Sequence, residues 1–147
     1  MKTPAAWTNG ALVATLVAIQ FLPVNTMNPP VEADHEAPPD VKTILERSCY
    51  DCHSNQTRWP WYSRIAPISW LVFHDVKEGR EHLNFSEWHG LSTKDQVEAM
   101  EETWEEVEEG EMPLWFYLPM HPEARITSTD REVMRDWASG TISPEED

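Results

Sequence analysis

The sequence predicts an all-α fold: about four helices joined by long loops. Three observations point there. Apolar residues recur at helical spacing in four stretches after residue 40. Those stretches are bounded by capping residues, glycines and prolines. No segment alternates apolar and polar residues as a half-buried strand does. There is no internal repeat.

The chain opens on residues 1–24, where Lys2 is the lone base and an apolar run extends from Ala11 to Leu22 (ALVATLVAIQFL). With Ala5, Ala6 and Trp7 as flank, about 20 residues reach the length of a bilayer span. The strict apolar core has the length of a signal-peptide core, yet no small-x-small cleavage pattern follows Leu22. The expectation is an uncleaved signal anchor, a transmembrane helix tying the protein to the membrane. A cleaved signal peptide is the alternative, and a buried core helix a weaker one. Residues 25–40 read as a proline-rich tether, which includes His35 and says little more. Either export reading puts the folded part, residues 41–147, in the periplasm or another extracytoplasmic space.

Asp40 is placed to cap the first helix of that part, with Val41, Ile44, Leu45 and Ser48/Cys49 on its inner face. A polar loop holding Trp59, Pro60, Trp61 and Tyr62 follows. Pro67 suits the first turn of a second helix, with Ile68, Leu71, Val72 and Val76 at helical spacing and Gly79 as its expected end. Asn84 to Gly90 reads as loop. Ser92 with Asp95 forms a capping box for a third helix, which carries Val97, Met100, Trp104 and Val107 on one stripe and stops at Gly110. Residues 112–126 form a long loop broken by Pro113, Pro119 and Pro122. Thr127 or Thr129 caps a last helix with Val133, Met134 and Trp137 inward and Gly140 at its end. Loops this long in a small domain usually serve a function.

Composition narrows the function. The 147 residues carry a net charge of −15, and residues 41–147 alone hold 22 acids against 10 bases. Such a surface excludes nucleic acid, whose phosphates need a basic face, and an anionic membrane surface. Two cysteines exclude a disulfide scaffold. Eight tryptophans and twelve prolines against five glycines suit a small core built around a flat apolar guest.

Both cysteines fall in one pentapeptide, Cys49-Tyr50-Asp51-Cys52-His53. Two thiols three positions apart, followed at once by a histidine, form the attachment pattern of c-type haem. The thiols reach the two vinyl groups on one porphyrin edge, and the histidine comes under the iron. Competing readings explain less. A thioredoxin-like dithiol expects a βαβ context, a zinc site expects a second ligand pair, and a simple disulfide leaves His53 unexplained.

Beyond the pentapeptide, the runs CYDCHSNQTRWPWYSRIAPISWLV, EGREHLNFSEW, GEMP and HPEARIT, with QFLPVNTMNPPV upstream, resemble the haem-binding domain family of small exported c-type cytochromes. The resemblance covers roughly residues 18–138. It implies a cytochrome c-like helical fold around one covalent haem c, in an exported protein. It names no partner.

Carriers of electrons usually close both axial positions of the iron, often with His and Met. Met112, in the GEMP-type motif that the resemblance points to, is the preferred sixth ligand opposite His53. Met120, His121 and an open iron are the alternatives. Met100 and Met134 sit on helical stripes and read as core. Arg58, Trp59, Trp61, Tyr62 and Trp70 read equally as a haem wall with propionate donors or as ordinary aromatic packing. Trp104 and Trp137 read as helix-packing residues, with Trp137 meeting the Ile44/Leu45 face. His74, His82 and His89 read as surface histidines rather than a second metal site.

Residues 98–111 hold eight acids and no base. This is a solvated helix face, or a docking surface for a redox partner with a basic face; a calcium site is a lesser option. The functional expectation is an electron carrier that makes and breaks no substrate bond, and so is not an enzyme. The alternatives are a haem-based sensor or gas-binding module with an open distal site, and a peroxidase-like enzyme using His121 or Glu111.

Overall fold

A computed structural model describes residues 4–142, with side chains from residue 8 onward; Lys2 lies outside them. The described residues form six α-helices and no strand. The helices are α1 (Pro4–Ala18), α2 (Pro39–Ser48), α3 (Tyr50–His53), α4 (Ile68–His82), α5 (Thr93–Glu109) and α6 (Ser128–Ala138). Single 3-10 turns lie at Ile19–Phe21, Trp61–Arg64, Trp88–Gly90 and Pro122–Ala124. The helical class holds. The pentapeptide adds a short helix, because the backbone at Cys49 (φ −123) breaks α2 from α3.

The expected transmembrane helix is not found among the described residues. Helix α1 has 15 residues, about 22 Å of axial rise against a hydrocarbon core of about 30 Å. It tightens into a 3-10 turn at Ile19 and gives way to Pro23. No described helix is long and apolar enough to cross a membrane. Leu12, Val13, Leu16 and Val17 are exposed along α1. Gln20 anchors its end: the side-chain amide donates to the Ala66 carbonyl at 2.9 Å and accepts from the Ala66 N–H at 3.0 Å.

The core forms where α2 and α6 pack. Val41, Ile44, Leu45, Met134 and Trp137 are buried together with Tyr50, Phe85, Trp88 and Ala99, so Trp137 meets the Ile44/Leu45 face as its position implies. Asp40 does not cap α2. The helix starts a residue earlier at Pro39, and Asp40 lies in its first turn, where a carboxylate suits the positive end of the helix dipole. Helix α6 has the full capping box: Thr127 Oγ1 accepts from the Asp130 N–H, and the Asp130 carboxylate accepts from the Thr127 N–H. Arg47 of α2 donates to the same carboxylate and ties the two helices.

Helix α5 starts at the expected cap, with Ser92 accepting from the Asp95 N–H, but the reciprocal half of the capping box is replaced by the Ser92 hydroxyl donating to the Asp95 carboxylate at 2.8 Å. It stops at Gly110, whose φ of +80 is the left-handed conformation that glycine adopts without strain. Its inner face is rotated from the expected stripe: Ala99 and Val107 are buried, Met100 and Trp104 pack at the core's edge, and Val97 is exposed. The small Ala99 and the branched Val107 let α6 approach, and the large side chains border the contact.

Residues 25–38 form a strap on the domain instead of a free spacer. The N–H groups of Ala33 and His35 donate to the carbonyls of Ser86 and Phe85. Asn28 donates to the Thr57 carbonyl at 2.9 Å and accepts from Trp59 Nε1 and Arg80. The Pro30 carbonyl accepts from Asn55. His35 is 5% exposed and lies 4.0 Å from the Trp88 ring.

Candidate functional site

The site grows from α3. One helical turn carries Tyr50, Asp51, Cys52 and His53, with Cys49 immediately before it. The Cys52 and His53 N–H groups both return to the Cys49 carbonyl, at 3.1 and 2.9 Å. This closes the turn and brings both thiols and the imidazole together. Both cysteines are free thiols, and burial pushes each up to about 12, so they are neutral and keep their protons.

His53 is oriented by its neighbours. Its Nδ1 lies 3.2 Å from the Leu83 carbonyl, which selects the tautomer with the proton on Nδ1 and leaves the Nε2 lone pair free. Burial lowers its pKa, opposed by the carbonyls of Leu83 and Gly79, so the ring is neutral and able to ligate. The His53 carbonyl accepts from the Phe85 N–H at 2.8 Å and locks the turn to the end of α4.

Gly79 makes this docking possible. It was expected to end its helix, yet α4 runs on to His82. A Cβ at 79 would meet the Cys52 carbonyl oxygen at 2.8 Å, so the missing side chain serves contact with α3 and does not stop the helix.

Asp51 joins the surrounding loops. Its Oδ1 accepts from the Arg58 N–H at 2.9 Å and from Arg58 Nε at 3.2 Å, and its Oδ2 accepts from the Tyr117 hydroxyl at 2.8 Å. Burial and the Asp51 charge push the Tyr117 hydroxyl well above its ordinary value, so it remains a donor. Tyr50 is tied by its hydroxyl to Asp34 at 3.1 Å, and Lys42 donates to both at 2.6 and 2.7 Å. The Asp51 hub was not legible in the sequence. Its only trace is a carboxylate between the two cysteines, a position the attachment pattern leaves open.

His121 lies on the 112–126 loop. Tyr62 and His121 Nε2 are 2.7 Å apart, Glu123 lies 3.3 Å from Nδ1, and the ring stacks on Tyr117 at 4.0 Å. Both ring nitrogens thus have partners. Met112 is half-buried where α5 ends, its N–H donating to the Glu106 carbonyl at 3.1 Å. Met120 is 54% exposed. Arg58 is turned to Asp51 through Nε, and the Trp59 indole N–H is taken by Asn28. No cluster of three His, Cys, Asp or Glu side chains that would hold a bare metal ion occurs among the described residues.

The residues present fit a flat apolar macrocycle. Ile65, Ile68, Leu71, Trp61, Phe116 and Trp115 are exposed on the segments that flank the motif. Those segments are joined around it: the 61–64 turn packs on α4, α4 packs on α3, and the 112–126 loop is fastened through Tyr117 and His121. Large side chains of this kind without protein cover mark a ligand or partner surface. They also explain why the Ile68 and Leu71 stripe of α4 is not core. A neutral histidine with one lone pair free supplies the ligand an iron porphyrin needs.

The fold is a helical domain with a histidine-bearing turn, and the family defines it as a haem-binding domain. The chain belongs to the haem-binding domain family, whose pattern matches residues 14–140. No curated protein and no solved structure matches it.

Proposed function

We propose that this haem-binding protein is a monohaem c-type cytochrome that carries electrons outside the cytoplasm. Cys49 and Cys52 would hold the two vinyl groups, each thiol adding across one vinyl double bond with its sulfur on one carbon and its proton on the other, so nothing would leave. His53 Nε2 and the Met112 thioether would ligate the iron. When bound, haem supplies one-electron chemistry between ferric and ferrous iron. The chain's own residues hold it: the thiols fix one edge, the Leu83 carbonyl aims the imidazole, and the apolar segments exclude water. The observation that carries the reading is the Nδ1 contact of His53 with Leu83 at 3.2 Å, directly after two free thiols. Export is supported by the chemistry, because bacterial thioether formation takes place outside the cytoplasm. No substrate bond is made or broken, so the protein acts as a carrier or as a donor to an oxidoreductase.

The acidic face of α5 steers a partner with a basic face. Glu98, Glu101, Glu102, Glu105, Glu106, Glu108 and Glu109 are exposed, and such encounters slow as salt rises. Optical spectra of the purified ferrous protein with and without carbon monoxide test the carrier reading. A six-coordinate iron leaves the spectrum unchanged, whereas ready binding overturns the carrier in favour of a gas-binding module. Met112→Ala should abolish the far-red methionine–iron band; its survival would assign the sixth position to another residue.

A further inference from the structure

We infer that Asp51 is the positioning residue that holds the distal loop over the haem, acting through Tyr117. The inference rests on the His/Met reading above. Residues 112–126 contain a single 3-10 turn, Pro122–Ala124. Their backbone bonds are mostly local: Tyr117 to Leu114, Met120 to Tyr117 and His121 to Leu118. A loop built this way takes its position from side-chain anchors. Tyr117 on Asp51 (2.8 Å) and His121 on Tyr62 (2.7 Å) are two such anchors. Their rings stack within 6° of parallel, so they move as one plate.

Asp51 belongs to the same helical turn as His53. The proximal ligand and the anchor of the distal loop therefore share one rigid element. Met112 is fixed from one side by its backbone bond to Glu106 and from the other by this plate five residues on. Without the Asp51 anchor, the plate is left to the His121–Tyr62 contact alone, and the loop would hold the Met112 thioether less firmly in place. The site needs a carboxylate. Three donors converge on its two oxygens, from the Arg58 backbone, the Arg58 side chain and the Tyr117 hydroxyl. An amide at 51 turns one oxygen into a donor that faces one of them.

The test uses the full-length holoprotein with Tyr117→Phe, Asp51→Asn and the double variant. Haem content is read by intact mass, and ligation by the far-red band and by carbon monoxide binding to the ferrous form. A lost hydrogen bond to a charged group should raise the carbon monoxide-accessible fraction roughly tenfold or more while haem stays attached. The double variant should be no worse than the stronger single one, because both cut the same link. Where Asp51→Asn fails to mature, Tyr117→Phe decides. An intact band and no carbon monoxide binding in Tyr117→Phe, even with a lowered melting temperature, would reduce Asp51 to a stabilising role and overturn the inference. Ready carbon monoxide binding by the wild type would instead overturn the His/Met reading, and this role with it.

Discussion

Gly79 of α4 lies directly against Cys52 of α3: a Cβ at 79 would sit 2.8 Å from the Cys52 carbonyl oxygen and 3.1 Å from its carbonyl carbon. The atoms it would strike are backbone, so they cannot swing aside as a side chain would.

Gly79→Ala is therefore expected to push α4 away from the attachment turn. An alanine gains about 1 kcal/mol in helix preference. Overpacking against backbone costs about 1–3 kcal/mol, and here it prevails because the close approach is to α3 itself. Denaturant unfolding of the purified protein should show the loss, and the haem-to-protein ratio should fall with it. Unchanged stability and loading would mean that the two helices have room to spare.

Much of the scaffold is legible in the sequence because it is local. The Ser92 cap and the Gly110 stop need only neighbouring residues, and the structure forms both; of the two threonines offered for the last helix, Thr127 is the cap. The α2 face of Val41, Ile44 and Leu45 needs only the helical period. Through-space relationships are another matter. Gly79 looks like a stop signal because the sequence does not reveal that Cys52 lies against it. Val97 looks like core because the rotation of α5 is set by α6. The strap looks like a tether because its fastening residues, Asn28 and Asp34, pair with partners 29 and 16 positions away. Asp51 carries no signal in the sequence for the same reason, since Tyr117 is 66 residues on.

His35 makes stability depend on pH. It is buried, neither ring nitrogen has a partner, and burial followed by the charge of Lys42 lowers its pKa from 6.5 to about 4. The folded state keeps the ring neutral, while the unfolded chain binds a proton below pH 6.5. Stability from this group is thus complete above about pH 6.5 and is lost as pH falls toward 4, by about 3 kcal/mol in all. Asp34 and Asp130 also have lowered values, but their loss falls below this window. Denaturant melts at pH 7.5 and pH 5 should show the drop, and His35→Phe, which keeps the stack on Trp88, should remove most of it. An equal drop in the variant would assign the acid sensitivity elsewhere.

Asp130 does two jobs at the α2–α6 contact. It completes the capping box with Thr127 and receives Arg47. Thr127→Ala loses one cap and should cost about 1 kcal/mol. Asp130→Ala loses the cap partner and also leaves Arg47 half-buried without its carboxylate, for about 2–3 kcal/mol. Thermal unfolding of the two variants should rank them in that order, and the reverse ranking would contradict the role given to Arg47.

Intact-mass spectrometry of the purified protein, after denaturation and extraction with acidified organic solvent, tests the central claim most directly. Covalent attachment through Cys49 and Cys52 predicts a polypeptide that retains the mass of one haem through extraction, and a Cys52→Ser variant that matures poorly. Release of the haem into the solvent, leaving a chain of bare mass with both thiols free, would contradict the attachment and the c-type reading built on it.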